Sequence, residues 1–199
     1  MKYNIPAGSS YTRTEMIKKI LSFQLPDDGF NLRFAQGSTA DPDITAMAIQ
    51  ALAPYYRNAT FNVKDPVDKA LDCLSKLQLD TGDFRSWGTR NSESVSQIIV
   101  SLCSIGVDPQ NDSRFIKNGI NLLDALFYYQ QEDGGFAHSY ESDPGNPSAI
   151  PGESNSIATD QALLALVAVW RQAQGMSILY DFRPGSVSAK ILTPEESEV

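Results

Sequence analysis

Apolar residues recur every three or four positions in six segments of this chain, and the polar faces of those segments fall into two kinds. In 14–23 (TEMIKKILSF), 67–77 (VDKALDCLSKL) and 115–129 (FIKNGINLLDALFYY), Lys, Glu, Asp or Asn gather on one face, as in a helix with one side in water. In 43–56 (DITAMAIQALAPYY), 93–107 (ESVSQIIVSLCSIGV) and 156–172 (SIATDQALLALVAVWRQ), apolar side chains run almost all round, mixed with Ala, Ser and Gly. That composition suits helices covered on both sides and closely packed. The two kinds alternate, so the chain reads as three hairpins, each with one outer and one inner helix. A lone hairpin cannot bury its inner helix, and neighbours must stack side by side. The predicted fold is therefore all-α, an arc of three helical hairpins in two layers.

The segments joining outer to inner helix also repeat. QLPDDGF (24–30), QLDTGDF (78–84) and QQEDGGF (130–136) each place Gln six residues before Phe, at intervals of 54 and 52 residues. Asp and Gly there fit a sharp turn after a helix C-terminus, where positive φ favours glycine, and the Phe can insert between layers. The Gln amide is suited to bridging backbone groups of the loop. The repeats cover approximately 12–57, 66–107 and 112–174 within a single domain, 1–182. Residues 183–199 lose helical periodicity and read as a tail or linker.

Composition narrows the function classes. A chain of 199 residues with 42% hydrophobic content can bury a core, and its net charge of −8, with no basic block beyond Lys18-Lys19, argues against nucleic acid. No apolar run approaches the roughly 20 residues that span a bilayer, and MKYNIPAGSS lacks the layout of a signal peptide. Cys73 and Cys103 sit in apolar helical patterns and His138 is the sole histidine, so neither a metal site, a disulfide framework nor a cofactor is expected. Asn58 and Asn111 open Asn-x-Ser/Thr sequons, a pattern that chance supplies often.

The Gln/Gly/Phe loops between paired helices resemble those of the prenyltransferase and squalene-cyclase repeat superfamily, over roughly residues 12–182. DPDITAMAIQALAPY, NSESVSQIIVSLCSIGVDPQNDSRF, DGGFAHS and ATDQALLALVAVWR look like the C-terminal half of uncharacterised bacterial surface proteins, which are similar in turn to the cobalamin carriers of the transcobalamin and intrinsic-factor group. The resemblance implies an α/α toroid, of which three hairpins make half a six-hairpin barrel. It also implies an extracellular or cell-surface setting. Another copy, or a missing N-terminal half, would complete the ring.

Within that resemblance the first inner-helix start has a chemical reading. Class II terpene cyclases of the superfamily use an Asp-x-Asp-Asp-Thr-Ala motif whose middle Asp is a general acid. DPDITA keeps Asp41, Asp43, Thr45 and Ala46 but has Ile44 where the adjoining acid would stand. The competing reading makes Asp43 an N-cap, in parallel with Ser92 or Glu93 and with Ser154 or Asn155 at the other two inner helices. A protein prenyltransferase would need Asp, Cys and His zinc ligands, and the inner-helix starts carry no Cys or His. The expectation is a non-catalytic module that binds an unidentified small molecule or a protein chain at the inner-helix N-terminal mouth. Its candidate contacts are Asp41, Asp43, Trp87, Arg90, Glu93, His138 and Glu153. The alternative is a terpene-cyclase-like enzyme with Asp43 as proton donor. Gln97 and Gln161 occupy equivalent positions on their helices, where each amide can satisfy the other or meet a ligand.

Overall fold

The computed structural model describes residues 6, 8–9, 11–32, 35 and 37–181, so the tail expected at 183–199 lies outside the described residues. Among the described residues six α-helices follow one another: α1 (Arg13–Leu21), α2 (Pro42–Leu52), α3 (Lys64–Leu77), α4 (Ser92–Ile105), α5 (Leu122–Phe127) and α6 (Ser156–Ala173). The fold is all-α, and α2, α4 and α6 stand side by side as the inner layer, with α4 in the middle. Almost every side chain of α4 is buried, because α2 and α6 cover its flanks and α5 packs against it, while α3 packs on α2. Ile49, Leu71, Leu74, Ile98, Ile99, Leu102, Leu122 and Leu126 are fully buried in one continuous core. Each such side chain contributes about 1.5–3 kcal/mol relative to exposure.

The outer helices begin and end for local reasons. A capping box starts α1: the Glu15 amide donates to Thr12 Oγ1 at 3.2 Å, and the Thr12 amide donates to Glu15 Oε2 at 2.6 Å. The third outer helix is shorter than the pattern over 115–129 predicts. Asn118 and Gly119 adopt positive φ (51° and 82°), and the Lys117 and Ile120 backbones bond to each other across them. That Asn-Gly turn breaks the periodic run, and α5 starts only after it, with Asn121 as cap.

The three repeated loops share one backbone plan. The residue after each Gln receives the same contact: the amides of Leu25, Leu79 and Gln131 donate to the carbonyls of Gly29, Asp83 and Gly135. The left-handed position falls on Asp28, Gly82 and Gly134, so two repeats follow the expected glycine rule and the first uses Asp. Gly29 is needed for space instead, since a Cβ there would collide with Ala40 Cβ and crowd Cys73 Sγ and Thr45 Oγ1. Gln24 donates to the carbonyls of Asp28 and Pro66, and Gln78 to those of Gly82 and Phe115. Each of these amides thus ties its own loop to the start of the following hairpin. The third, Gln130, is exposed and its amide makes no such bridge. Here the expected loop role fails among the described residues, where no hairpin follows α6 to offer the carbonyl.

A two-stranded hairpin not anticipated from the pattern, β1 (Arg85–Ser86) and β2 (Thr89–Arg90), precedes α4. Trp87 and Gly88 form its two-residue turn, both with positive φ, which matches the twist of the flanking strands.

Candidate functional site

The inner-helix starts meet at one end of the arc. α2 is capped by Asp41, whose carboxylate accepts from the Ile44 amide at 3.0 Å, with Pro42 as the first helical residue. The capping role expected of Asp43 therefore belongs to Asp41. Asn91 caps α4, in place of Ser92 or Glu93, and Asn155 caps α6. In all three helices a short side-chain oxygen outside the first turn satisfies an amide that the helix leaves unpaired.

Asp43 is consequently free of the backbone. Its Oδ1 is buried and has no hydrogen-bond partner, and neither has the buried Oγ of Ser94 on α4. Burial pushes the Asp43 carboxyl up to about 6 from an ordinary 3.8, and the charges of Asp41 and Glu93 push the same way. The nearby hydroxyls of Ser94 and Ser86 temper the rise without completing a hydrogen bond of good geometry to it. Ser86 instead donates to Asp41 Oδ2 at 2.7 Å, tying β1 to the cap of α2.

Beside this acid lies a buried histidine between two carboxylates. His138 Nδ1 is 2.8 Å from Glu93 Oε1, and Nε2 is 3.0 Å from Asp143 Oδ2. Burial favours the neutral ring, but two acceptors on opposite nitrogens outweigh it and the pKa is raised. The third repeat is stitched to α4 at this point: the Ser92 amide donates to the His138 carbonyl at 3.0 Å, and Ser92 Oγ donates to the Ala137 carbonyl at 2.7 Å.

Of the seven candidates, Asp41, Asp43, Glu93 and His138 thus form one cluster with Ser86, Ser94 and Asp143. Trp87 stands at the tip of the β-hairpin, 61% exposed. Glu153 is exposed on the loop before α6, and its side chain makes no hydrogen bond among the described residues. Arg90 turns away to Asp83, which accepts from Arg90 Nε (2.9 Å) and Nη2 (2.7 Å), from Tyr129 Oη (2.6 Å) and from Thr81 Oγ1 (2.6 Å). Burial would raise the Asp83 pKa, but these donors hold it below its ordinary value. That network is a structural clamp between the second and third repeats. Asp143, Ser86 and Ser94 carried no signal at the sequence level, being single polar residues whose partners are remote in the chain.

Further along the inner helices, the equivalent amides do satisfy one another. Gln97 Nε2 donates to Gln161 Oε1 at 3.0 Å, and Gln50 Nε2 donates to Gln97 Oε1 at 2.9 Å, so three helices share one polar rung. At the opposite end of the helices, a recess of about 400 Å³ is lined by residues including Arg57, Cys103, Arg171 and Met176. Arg171 is already engaged with Ser177 there. Both thiols are buried and unpaired, and burial pushes Cys73 up to about 11 and Cys103 up to about 12, as core cysteines require. Among the described residues no group of His, Cys, Asp and Glu has the arrangement of a metal site, and no helix is long and apolar enough to cross a membrane.

The family model of the squalene-hopene cyclase C-terminal domain matches residues 23–178, from the end of α1 past the end of α6. The chain belongs to this family. A search of curated proteins found no match. The squalene-hopene cyclase C-terminal domain match spans all three repeated loops and all three inner helices, placing the chain in the prenyltransferase and squalene-cyclase superfamily.

Proposed function

We propose that this squalene-cyclase-type domain is a non-catalytic binding module whose inner-helix N-terminal mouth takes a small molecule, in a bacterial surface or secreted protein. The observation that carries the reading is the buried Asp43 Oδ1, which receives no well-formed hydrogen bond among the described residues and has only the Ser94 hydroxyl of α4, itself without a well-formed bond, to temper its charge. A buried acceptor left unpaired costs about 1–3 kcal/mol, which a ligand offering hydrogen-bond donors returns. The charges of Asp41 and Glu93, which act on it, make an ammonium or guanidinium group the favoured donor, with Trp87 at the rim as an apolar contact. The setting at a cell surface rests on the sequence resemblance alone.

A second reading is favoured by one property of the same acid. A carboxyl with a pKa of about 6 is partly protonated near neutrality, as a proton donor must be. The surroundings weigh against it. Protonating an alkene demands a strong acid whose anion is stabilised, whereas Asp41 and Glu93 repel the Asp43 anion and make it a weaker acid. Ile44 also breaks the Asp-x-Asp-Asp-Thr-Ala motif at its adjoining acid.

Thermal-shift titration with a graded set of ammonium and guanidinium compounds tests the binding reading. Stabilisation should saturate for the wild type and be lost in Asp43→Asn. Incubation with squalene and polyprenyl diphosphates tests the other, because a cyclised product that Asp43→Asn abolishes would establish catalysis.

A further inference from the structure

Equivalent positions on the three inner helices differ sharply in exposure, and the differences fall only at the two ends of the arc. Counted from each cap, Ile49 on α2, Ile99 on α4 and Leu163 on α6 hold the same position. The first two are 0% exposed and Leu163 is 59% exposed. Four residues on, Ala53 and Cys103 are buried, while Val167 is half-buried and Trp170 beyond it is exposed. This is the face by which α2 meets α4, and α4 meets α6.

The opposite face repeats the pattern in reverse. Ala158, Ala162 and Ala165 on α6, and Ser94, Ile98 and Ser101 on α4, are all fully buried, three by three in the same positions. Their equivalents on α2 are Ile44, Ala48 and Ala51, of which the first two are half-buried and the last exposed. An apolar groove runs beside them, lined by Ile20, Phe23, Leu32 and Met47. The outer layer agrees. Ser75 Oγ donates to the Arg114 carbonyl at the start of the next hairpin, whereas Phe127, three residues before Gln130 as Ser75 is before Gln78, is exposed. Gln130 itself lacks the next-hairpin carbonyl that Gln24 and Gln78 find. On the inner layer, Gln161 keeps amide N–H groups and Gln50 keeps a carbonyl oxygen that make no hydrogen bond among the described residues.

One partner suits both ends: another surface of the same kind. We infer that a second copy of this chain docks head to tail, laying its α1–α2 face on the α5–α6 face of the first. The internal interfaces α2–α4 and α4–α6 are the template. Leu163, Val167 and Trp170 cover Ile44, Ala48 and Ala51 of the next copy, and Gln130 donates to the backbone at the start of its α1. Because the two surfaces differ, the contact is heterologous, and it closes into a ring or continues as a filament according to the rotation per copy. The inference is independent of any ligand at the mouth.

The test is the solution mass of the 199-residue chain, by light scattering and native mass spectrometry at micromolar concentration. The wild type should show at least twice the 21.8 kDa of one chain. Leu163→Asp blocks one face and Ala51→Glu the other, both at exposed positions. Each variant alone should be monomeric with unchanged circular dichroism. Mixed, the two should form a one-to-one pair and nothing larger, since only one intact face of each remains. A wild type that stays monomeric at every concentration overturns the inference. So does a mixture that fails to pair, or single variants that associate like the wild type, because a symmetric dimer behaves that way.

Discussion

Replacing Asp43 with Asn removes a charge that the fold tolerates poorly, and the effect on stability should appear only above the pH at which the acid ionises. The Asp43 carboxyl is raised from an ordinary 3.8 to about 6, first by burial and then by Asp41 and Glu93. Between those two values the native state holds a proton that the unfolded chain has released, so stability falls as pH rises from about 4 to about 6 and the loss is complete above it. At about 1.4 kcal/mol per pH unit, the penalty at pH 8 is roughly 3 kcal/mol. Asn presents a similar shape without the charge. The variant should therefore be more stable than the wild type by about 1–3 kcal/mol at pH 8, or roughly 3–9 °C in Tm for a domain of this size. At pH 4, with the acid neutral, the two should agree within about 0.5 kcal/mol. Thermal and urea unfolding followed by far-ultraviolet circular dichroism from pH 4 to 8 provides the measurement. His138 titrates in both proteins, so the difference curve isolates Asp43. A difference that does not change with pH, or a variant less stable at pH 8, refutes the reasoning, since the carboxylate would then be making a favourable bond in the native state.

Three further outcomes follow from the same geometry. Asp83→Asn should cost about 3–5 kcal/mol in urea unfolding, because it leaves the Arg90 charge without its buried partner and weakens the Tyr129 and Thr81 bonds; a loss below about 1 kcal/mol would show that the clamp is idle. Gly29→Ala should cost about 1–3 kcal/mol by overpacking against Ala40, Cys73 and Thr45, while Gly88→Ala, where no atom lies near, carries only the backbone penalty of its positive φ. His138→Gln should destabilise more at pH 5.5 than at pH 9. The raised histidine pKa means that its stabilisation is present at low pH and lost as pH rises through the native value, at about 1–3 kcal/mol for bonds to a charged group. Equal losses at both pH values would show that the ring is neutral throughout.

Much of the architecture was legible because the apolar period of α3, α4 and α6 is long and uninterrupted, and because the Gln-to-Phe loops repeat. What escaped was local chemistry competing with that period. Asn118-Gly119 is a strong turn signal set inside an apolar run, and it shortened α5. Pro42 marks the first helical position and so points to Asp41 as the cap, a signal present in the sequence but outweighed by the parallel drawn with Ser92 or Glu93, one and two positions past the Asn91 cap of α4. The run of polar residues at the inner-helix starts was legible, but not which of their side chains meet. Glu93 and His138 lie 45 residues apart, and only the stacking of the second and third hairpins brings them together. Arg90 shares the same stretch of sequence but is claimed by Asp83, seven residues earlier. No pattern of spacing distinguishes a cation pointing into the mouth from one folded back onto its own loop.

A small molecule, on the function proposed above, reaches Asp43 Oδ1 and Ser94 Oγ at the mouth. That contact is tested most directly by native mass spectrometry of the purified chain, compared with the Asp43→Asn, Ser94→Ala double variant prepared in parallel. The account predicts a wild type that carries a small-molecule adduct, released on denaturation and missing from the double variant. The same adduct state in the two proteins, whether both are bare or both carry the same added mass, would contradict it.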